Sequence, residues 1–131
     1  MASTPEDLAA LMPFARLAGI EILSAAPEEV RGRLEWSPER CTTGGMLHGG
    51  ALLTLADSLG GVCAYLNLRE DQSTATLESK TNFIRPVREG QVEGIARPLH
   101  TGRTTIVVET RLLDAAGRLV SLTIQTQAVI G

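Results

Sequence analysis

The stretch from Gly44 to Leu66 limits what this chain can fold into more than any other. It opens on a glycine-rich turn, Gly44-Gly45-Met46-Leu47-His48-Gly49-Gly50, and then stays apolar. Leu52, Leu55, Ala56, Leu59, Val62, Cys63 and Leu66 follow helical spacing. Leu53 and Ala64 add apolar groups on the remaining faces, so the helix is expected to be buried nearly all round. Its shortness and its Gly and Asp interruptions speak against a transmembrane segment, and no membrane partner is expected.

One carboxylate, Asp57, lies inside this apolar run. A charge there is costly unless it is paired, hydrated or used. Ala56, Gly60 and Gly61 leave room for something to approach it. Ahead of the helix, His48-Gly49-Gly50 places free backbone N–H groups at the positive end of the helix dipole. An acid combined with an anion-stabilising helix start suits acyl chemistry. Geometry adds a condition. Gly49 and Asp57 are eight residues apart, about 12 Å along a helix that rises ~1.5 Å per residue, so both cannot touch one carbonyl carbon. If both act, a second copy of the helix must lie antiparallel to the first across a two-fold axis, and the chain forms a dimer with shared sites.

Composition narrows the class. The 131 residues suffice for one domain, 1–131, with a core of its own. A net charge of −3 and 3 % aromatic residues argue against a nucleic-acid partner, which would need positive charge and stacking platforms. Cys41 and Cys63 lack metal-ligand spacing and are expected to be reduced thiols. Pro5, Glu6 and Asp7 do not fit the basic and apolar layout of an export signal, so a cytoplasmic location is expected.

Thr4 and Pro5 mark the start of an N-terminal helix over about 4–18, with Leu8, Leu11, Met12 and Ala15 as its apolar stripe. Its packing stripe could also serve as a lid over an acyl pocket. Ile20–Ser24 and Val30–Trp36 read as strands, the second alternating Val30, Gly32, Leu34 and Trp36 with Arg31, Arg33 and Glu35. After the central helix, four more strands are expected over 74–85, 91–99, 104–114 and 118–130. In the last, Val120, Leu122, Ile124, Thr126 and Ala128 alternate with Ser121, Thr123, Gln125 and Gln127. Asp114-Ala115-Ala116-Gly117 reads as a hairpin turn, and short connections imply that neighbouring strands run antiparallel. The expected class is α+β: one long central helix wrapped by a curved antiparallel sheet.

His48-Gly49-Gly50-Ala51, followed by Leu55-Ala56-Asp57 and Gly60-Gly61, resembles the signature of the hotdog-fold acyl-CoA thioesterases. The chain is most similar to their PaaI-like branch, which includes phenylacetyl-type and 1,4-dihydroxy-2-naphthoyl-CoA thioesterases. Val87-Arg88-Glu89-Gly90, Arg97 to Arg103 and Asp114 to Arg118 extend the likeness, which runs from about Phe14 to the C-terminus.

The resemblance implies a hotdog fold and hydrolysis of an acyl-CoA, with an aryl or arylacetyl group as first choice. It also implies self-association as a dimer or a dimer of dimers (a homotetramer), with active sites at the dimer interface. Asp57 is then the catalytic carboxylate, acting as nucleophile or as general base. The Gly49 N–H polarises the thioester carbonyl, and His48 orients the turn or hydrogen-bonds near the thioester. Thr42 falls where many relatives carry Asn or Gln, a departure that replaces an amide with a shorter hydroxyl. Thr76 aligns with a Ser or Thr near the acid in some members. Arg85, Arg88, Arg97, His100 and Arg103 are expected around the strand ends, with Arg85 and Arg103 as candidates for the phosphates of CoA. Neither a metal set nor a phosphate-binding glycine loop is evident, so no cofactor is expected beyond the CoA of the substrate. Two rival readings are a non-catalytic acyl-CoA-binding or regulatory module and a hydratase-dehydratase. The second would need an Asp/His pair on one loop, and no His follows Asp57 in its helix.

Overall fold

The computed structural model describes residues 4–131, so the first three residues of the expected domain lie outside the described residues. Two short helices, α1 (Pro5–Ala10) and α2 (Pro13–Leu17), lead into strands β1 (Glu21–Ala26) and β2 (Glu29–Glu35). The long helix α3 (Gly49–Leu66) follows, and then β3 (Ser73–Phe83), β4 (Gln91–Thr101), β5 (Thr105–Leu113) and β6 (Leu119–Ile130). All six strands form one antiparallel sheet in the order β1-β2-β4-β5-β6-β3. Helix α3 touches every strand, so the sheet curves around it, as the hotdog arrangement requires.

Local chemistry sets most element boundaries. Thr4 caps α1, its Oγ1 accepting from the Asp7 N–H at 3.1 Å. The single helix expected over about 4–18 is instead two. Pro13 brings no N–H and holds Met12 at φ −124°, ψ 79°, which ends one helix and starts the next. Leu8 and Ala15 are buried, whereas Leu11 is 57 % exposed and leaves the expected stripe.

Strand β2 keeps its alternation: Val30, Gly32 and Leu34 are buried. Gly32 pairs with Gly94 of β4, and the Leu59 side chain of α3 fills the hollow above both. A Cβ at either glycine would come within 2.5 Å of a Leu59 methyl. This glycine pair lets α3 approach the sheet closely, with Leu55, Val62 and Cys63 beside Val30, Leu34, Val92, Ala96, Ile106, Val108 and Leu112 in one core.

Three features differ from, or add to, the reading of the sequence. First, α3 is not buried all round: Leu53 is 39 % exposed and Asp57 is exposed, because the sheet covers one side and leaves Gly50, Leu53, Thr54, Asp57 and Gly61 along the other. By length and composition α3 also does reach the size of a membrane span. Its packing against all six strands marks it as a core helix. Second, β3 is not a neighbour of β4 despite the short connection. The connection passes the start of α3, where the Leu47 N–H donates to the Val87 carbonyl, and β3 pairs with β6 at the far edge. Its outer edge pairs with no strand among the described residues, and Leu77 is 64 % exposed there.

Third, the alternation of β6 turns its polar residues inward. Leu112 pairs with Ser121 and Leu113 with Leu119, so Val120 is an extra residue in β6, a bulge. Its carbonyl accepts from the Ile84 and Arg85 N–H groups. The bulge buries both Val120 and Ser121 and shifts the parity of the rest of the strand. Ser121, Thr123, Gln125 and Gln127 therefore face α3, and Leu122 and Ile124 face away.

Candidate active site

The start of α3 is fixed by the loop before it. Gly44 and Gly45 turn at φ +85° and +75°, conformations that favour glycine, and return the chain so that Cys41 bridges to Leu47. The Trp36 indole N–H donates to the Gly45 carbonyl at 3.0 Å, and Arg88 donates to Gly44 at the same distance. The His48 N–H donates to the Arg40 carbonyl at 2.8 Å.

His48 is the N-cap of α3. Its Nδ1 accepts the Gly50 N–H at 2.7 Å, which leaves the ring proton on Nε2. The ring lines a cavity of about 710 Å³ together with Phe14, Leu17, Arg40 and Thr54. Gly49 is the first helical residue, and its N–H donates to none of the described residues. It lines a separate cavity of about 310 Å³ with Thr42, Leu52, Phe83 and Arg85. Arg85 is held there by its bond to the Leu119 carbonyl at 2.8 Å.

Asp57 lies two turns further along α3, in a third cavity of about 390 Å³ with Phe14, Leu53, Thr54, Gly61 and Thr76. Phe14 of α2 and Thr54 border both this cavity and the His48 one, so α2 stands over the groove that runs along α3. Asp57 Oδ1 accepts from Gln125 Nε2 at 3.3 Å, and Thr76 Oγ1 accepts from Gln127 Nε2 at 2.7 Å.

The structure thus brings Asp57 together with Thr76, and Gly49 together with Thr42 and Arg85, but it does not bring the two groups together within one chain. The expected arginine cluster also divides. Arg97 pairs with Glu29, its Nη2 2.6 Å from the carboxylate. The hydrogen bonds from Arg31 and then Arg97 hold that carboxyl below its usual range. Arg103 lies in the β4–β5 turn, at the end of the sheet where α3 finishes, remote from Arg85 beside the start of α3. Burial pushes the Cys63 thiol up to about 11, and Cys63 sits in the core away from these cavities. No group of three or more His, Cys, Asp or Glu among the described residues could hold a metal ion.

Gln125 and Gln127 are site residues that the linear pattern did not single out. Their only signal was a pair of long amides two apart in a strand, on the face opposite Leu122 and Ile124. The Val120 bulge is what turns that face inward.

A long helix wrapped by a curved, six-stranded antiparallel sheet is the hotdog arrangement. Residues 44–121 match the family model described as "Thioesterase superfamily", and the chain belongs to that family. Over 86 residues it is 40 % identical to 1,4-dihydroxy-2-naphthoyl-CoA hydrolase of Escherichia coli, covering 66 % of this chain and 63 % of that protein. It is 37 % identical to the proofreading thioesterase EntH of Cronobacter sakazakii, over 66 % of this chain and 64 % of that one. The matched region therefore spans less than two thirds of these relatives' lengths. Among solved structures, a thioesterase from Haemophilus influenzae superposes with a TM-score of 0.94 at 27 % identity, covering all of this chain and 93 % of that one. A mutant thioesterase from Pseudomonas aeruginosa gives 0.92 at 31 % identity, over 99 % and 96 %.

Proposed function

We propose that the protein hydrolyses an acyl-CoA thioester, with an aryl or arylacetyl acyl group, to the free acid and CoA. The observation that carries this reading is the placement of Asp57 and the open Gly49 N–H on one helix but in separate cavities. Each cavity supplies half of what thioester hydrolysis needs: a carboxylate to act on the carbonyl carbon, directly or through water, and a donor for the oxygen that gains charge. The C–S bond breaks, the sulfur leaves as the thiol of CoA, and water supplies the oxygen of the acid. The aryl preference rests on the similarity to the naphthoyl-CoA hydrolase.

Two copies complete the site. Gly49 lies against Phe83 at one end of β3, and Thr76, near the other end, lines the Asp57 cavity. If the unpaired edge of β3 meets its two-fold copy antiparallel, the Phe83 end of one protomer lies beside the Thr76 end of the other. That pairing carries the partner's Gly49 of the second subunit toward Asp57 of the first. It also covers the exposed Leu53 and Leu77. Thr42 accompanies Gly49 as a short hydroxyl, and Arg85 offers a guanidinium beside it for the CoA phosphates.

The test is CoA release from a panel of aryl, short-chain and long-chain acyl-CoA thioesters. Aryl substrates should give the highest kcat/KM. Asp57→Asn should lower turnover at least about a hundredfold, the scale of a lost acid–base or nucleophilic group, in a folded protein. Near-normal hydrolysis by that variant would remove Asp57 from the chemistry. Binding of acyl-CoA without turnover by the wild type would favour a binding module instead.

A further inference from the structure

We propose that β6 carries the positioning layer of this site: Gln125 fixes the Asp57 carboxylate, and Gln127 sets the direction of the Thr76 hydroxyl. The inference rests on the catalytic reading of Asp57, and the experiment below separates the failure of one from the failure of the other.

Gln125 is fully buried, yet its Oε1 has no hydrogen-bond partner among the described residues. An unpaired buried carbonyl is a cost that an apolar side chain of the same length would avoid. The amide's hydrogen bond to Asp57 Oδ1, at 3.3 Å, is what it gains in return. Its orientation is forced: a carboxylate only accepts, so the NH2 group must face Asp57 and the oxygen must turn away. The oxygen then lies over Gly60 of α3, so closely that a Cβ at Gly60 would collide with it. Gly60 thus makes the space in which the amide reaches Asp57. Asp57 projects from the open side of α3, and a bond that holds Oδ1 leaves Oδ2 to face the reacting carbon or water.

Gln127, also buried, does the same for the hydroxyl. Its Nε2–H donates to Thr76 Oγ1 at 2.7 Å, and its Oε1 faces Thr74 Oγ1 at 3.1 Å, a hydroxyl whose single hydrogen is shared with the Ala128 carbonyl at 2.7 Å. With one lone pair of Thr76 so engaged, the hydroxyl hydrogen points away from Gln127, and Thr76 serves as a donor in the cavity it shares with Asp57. A water that accepts from Thr76 and donates to Asp57 keeps a lone pair free for the carbonyl carbon. The two glutamines, two apart on one face of β6, therefore orient the two polar side chains of one cavity.

Gln125→Met keeps length and volume and deletes both the donor and the unpaired oxygen. The expected result is a kcat loss of about tenfold to a hundredfold, the worth of one hydrogen bond to a charged group. KM should change less than about twofold and thermal stability should not fall. Gly60→Ala, which displaces the amide from the α3 side and leaves the β6 sequence unchanged, is expected to lower kcat in the same way and serves if Gln125→Met does not fold. In an Asp57→Asn background, Gln125→Met should cost nothing further, because its action passes through Asp57. Gln127→Met should match Thr76→Val in kcat and add nothing to it. Full kcat in folded Gln125→Met, or equal losses with and without Asp57, would overturn the role of Gln125 while a large Asp57→Asn loss left the catalytic reading standing. A normal Asp57→Asn enzyme would overturn both.

Discussion

Subunit complementation tests the shared site most directly. Helix α3 is continuous from Gly49 to Leu66, so the eight-residue step from Gly49 to Asp57 fixes a separation of about 12 Å. No thioester carbonyl can meet both from one chain. One variant is Asp57→Ala. The other is Gly49→Pro, which removes the N–H at the first helical position, where proline is tolerated. The backbone accepts it: His48 sits at φ −62°, ψ 136°, the extended conformation that a residue before proline prefers. A Cβ at Gly49 would lie 3.3 Å from the Phe83 ring, an exposed side chain with freedom to shift. Each homodimer should be nearly inactive. Refolded together in equal amounts, the chains should form about half heterodimers by random pairing. In each heterodimer, one site has both Asp57 and the Gly49 N–H and the other has neither. CoA release should therefore recover to roughly a quarter of wild type per subunit, the share of intact sites under two-fold exchange. Folded homodimers, heterodimers confirmed by mass and no recovered activity would refute the cross-subunit geometry.

Two further predictions concern the scaffold. Gly94→Ala places a methyl within 2.5 Å of a Leu59 methyl and 2.9 Å of Leu112. It should destabilise the protein by roughly 1–3 kcal/mol, the range for overpacking a core, and a urea midpoint at or above that of wild type would contradict this. Asp114 is held below the usual carboxylate range, first by the Arg118 N–H and also by the Arg118 guanidinium and the Ala116 N–H. Because its folded value is depressed, the turn is stabilised above the ordinary carboxylate range and loses that support as pH falls through the folded value. Protection of the Ala116 and Arg118 amides against hydrogen exchange, taken relative to the unstructured rate at each pH, should fall as pH drops below the ordinary carboxylate range. In Asp114→Ala that protection should be low with no acid-dependent step, and an acid step that persists in the variant would exclude Asp114 as its cause.

What the sequence determined by itself was local. The periodicity of Leu52, Leu55, Leu59 and Val62 specifies α3, and alternation specifies β2 and β5, because helix and strand faces follow from spacing along the chain. Thr4 stands at a helix start, where its side chain accepts a backbone N–H. The separation of Gly49 and Asp57 needed only the helical rise. The split at Pro13 was also present in the sequence, and the apolar stripe across it obscured the break.

Tertiary structure decided the rest. That β3 sits beside β6 instead of β4 depends on hydrogen bonds between residues about fifty apart in the chain, which no local pattern encodes. The direction of Gln125 and Gln127 depends on one extra residue at Val120. Whether that residue is accommodated as a bulge is settled by Leu112 and Leu113 across the ladder and by the Ile84 and Arg85 amides that bind its carbonyl. A shift of one residue exchanges the faces of a strand. The polar residues that hold Asp57 and Thr76 could therefore be read as site residues only after the sheet had closed around α3.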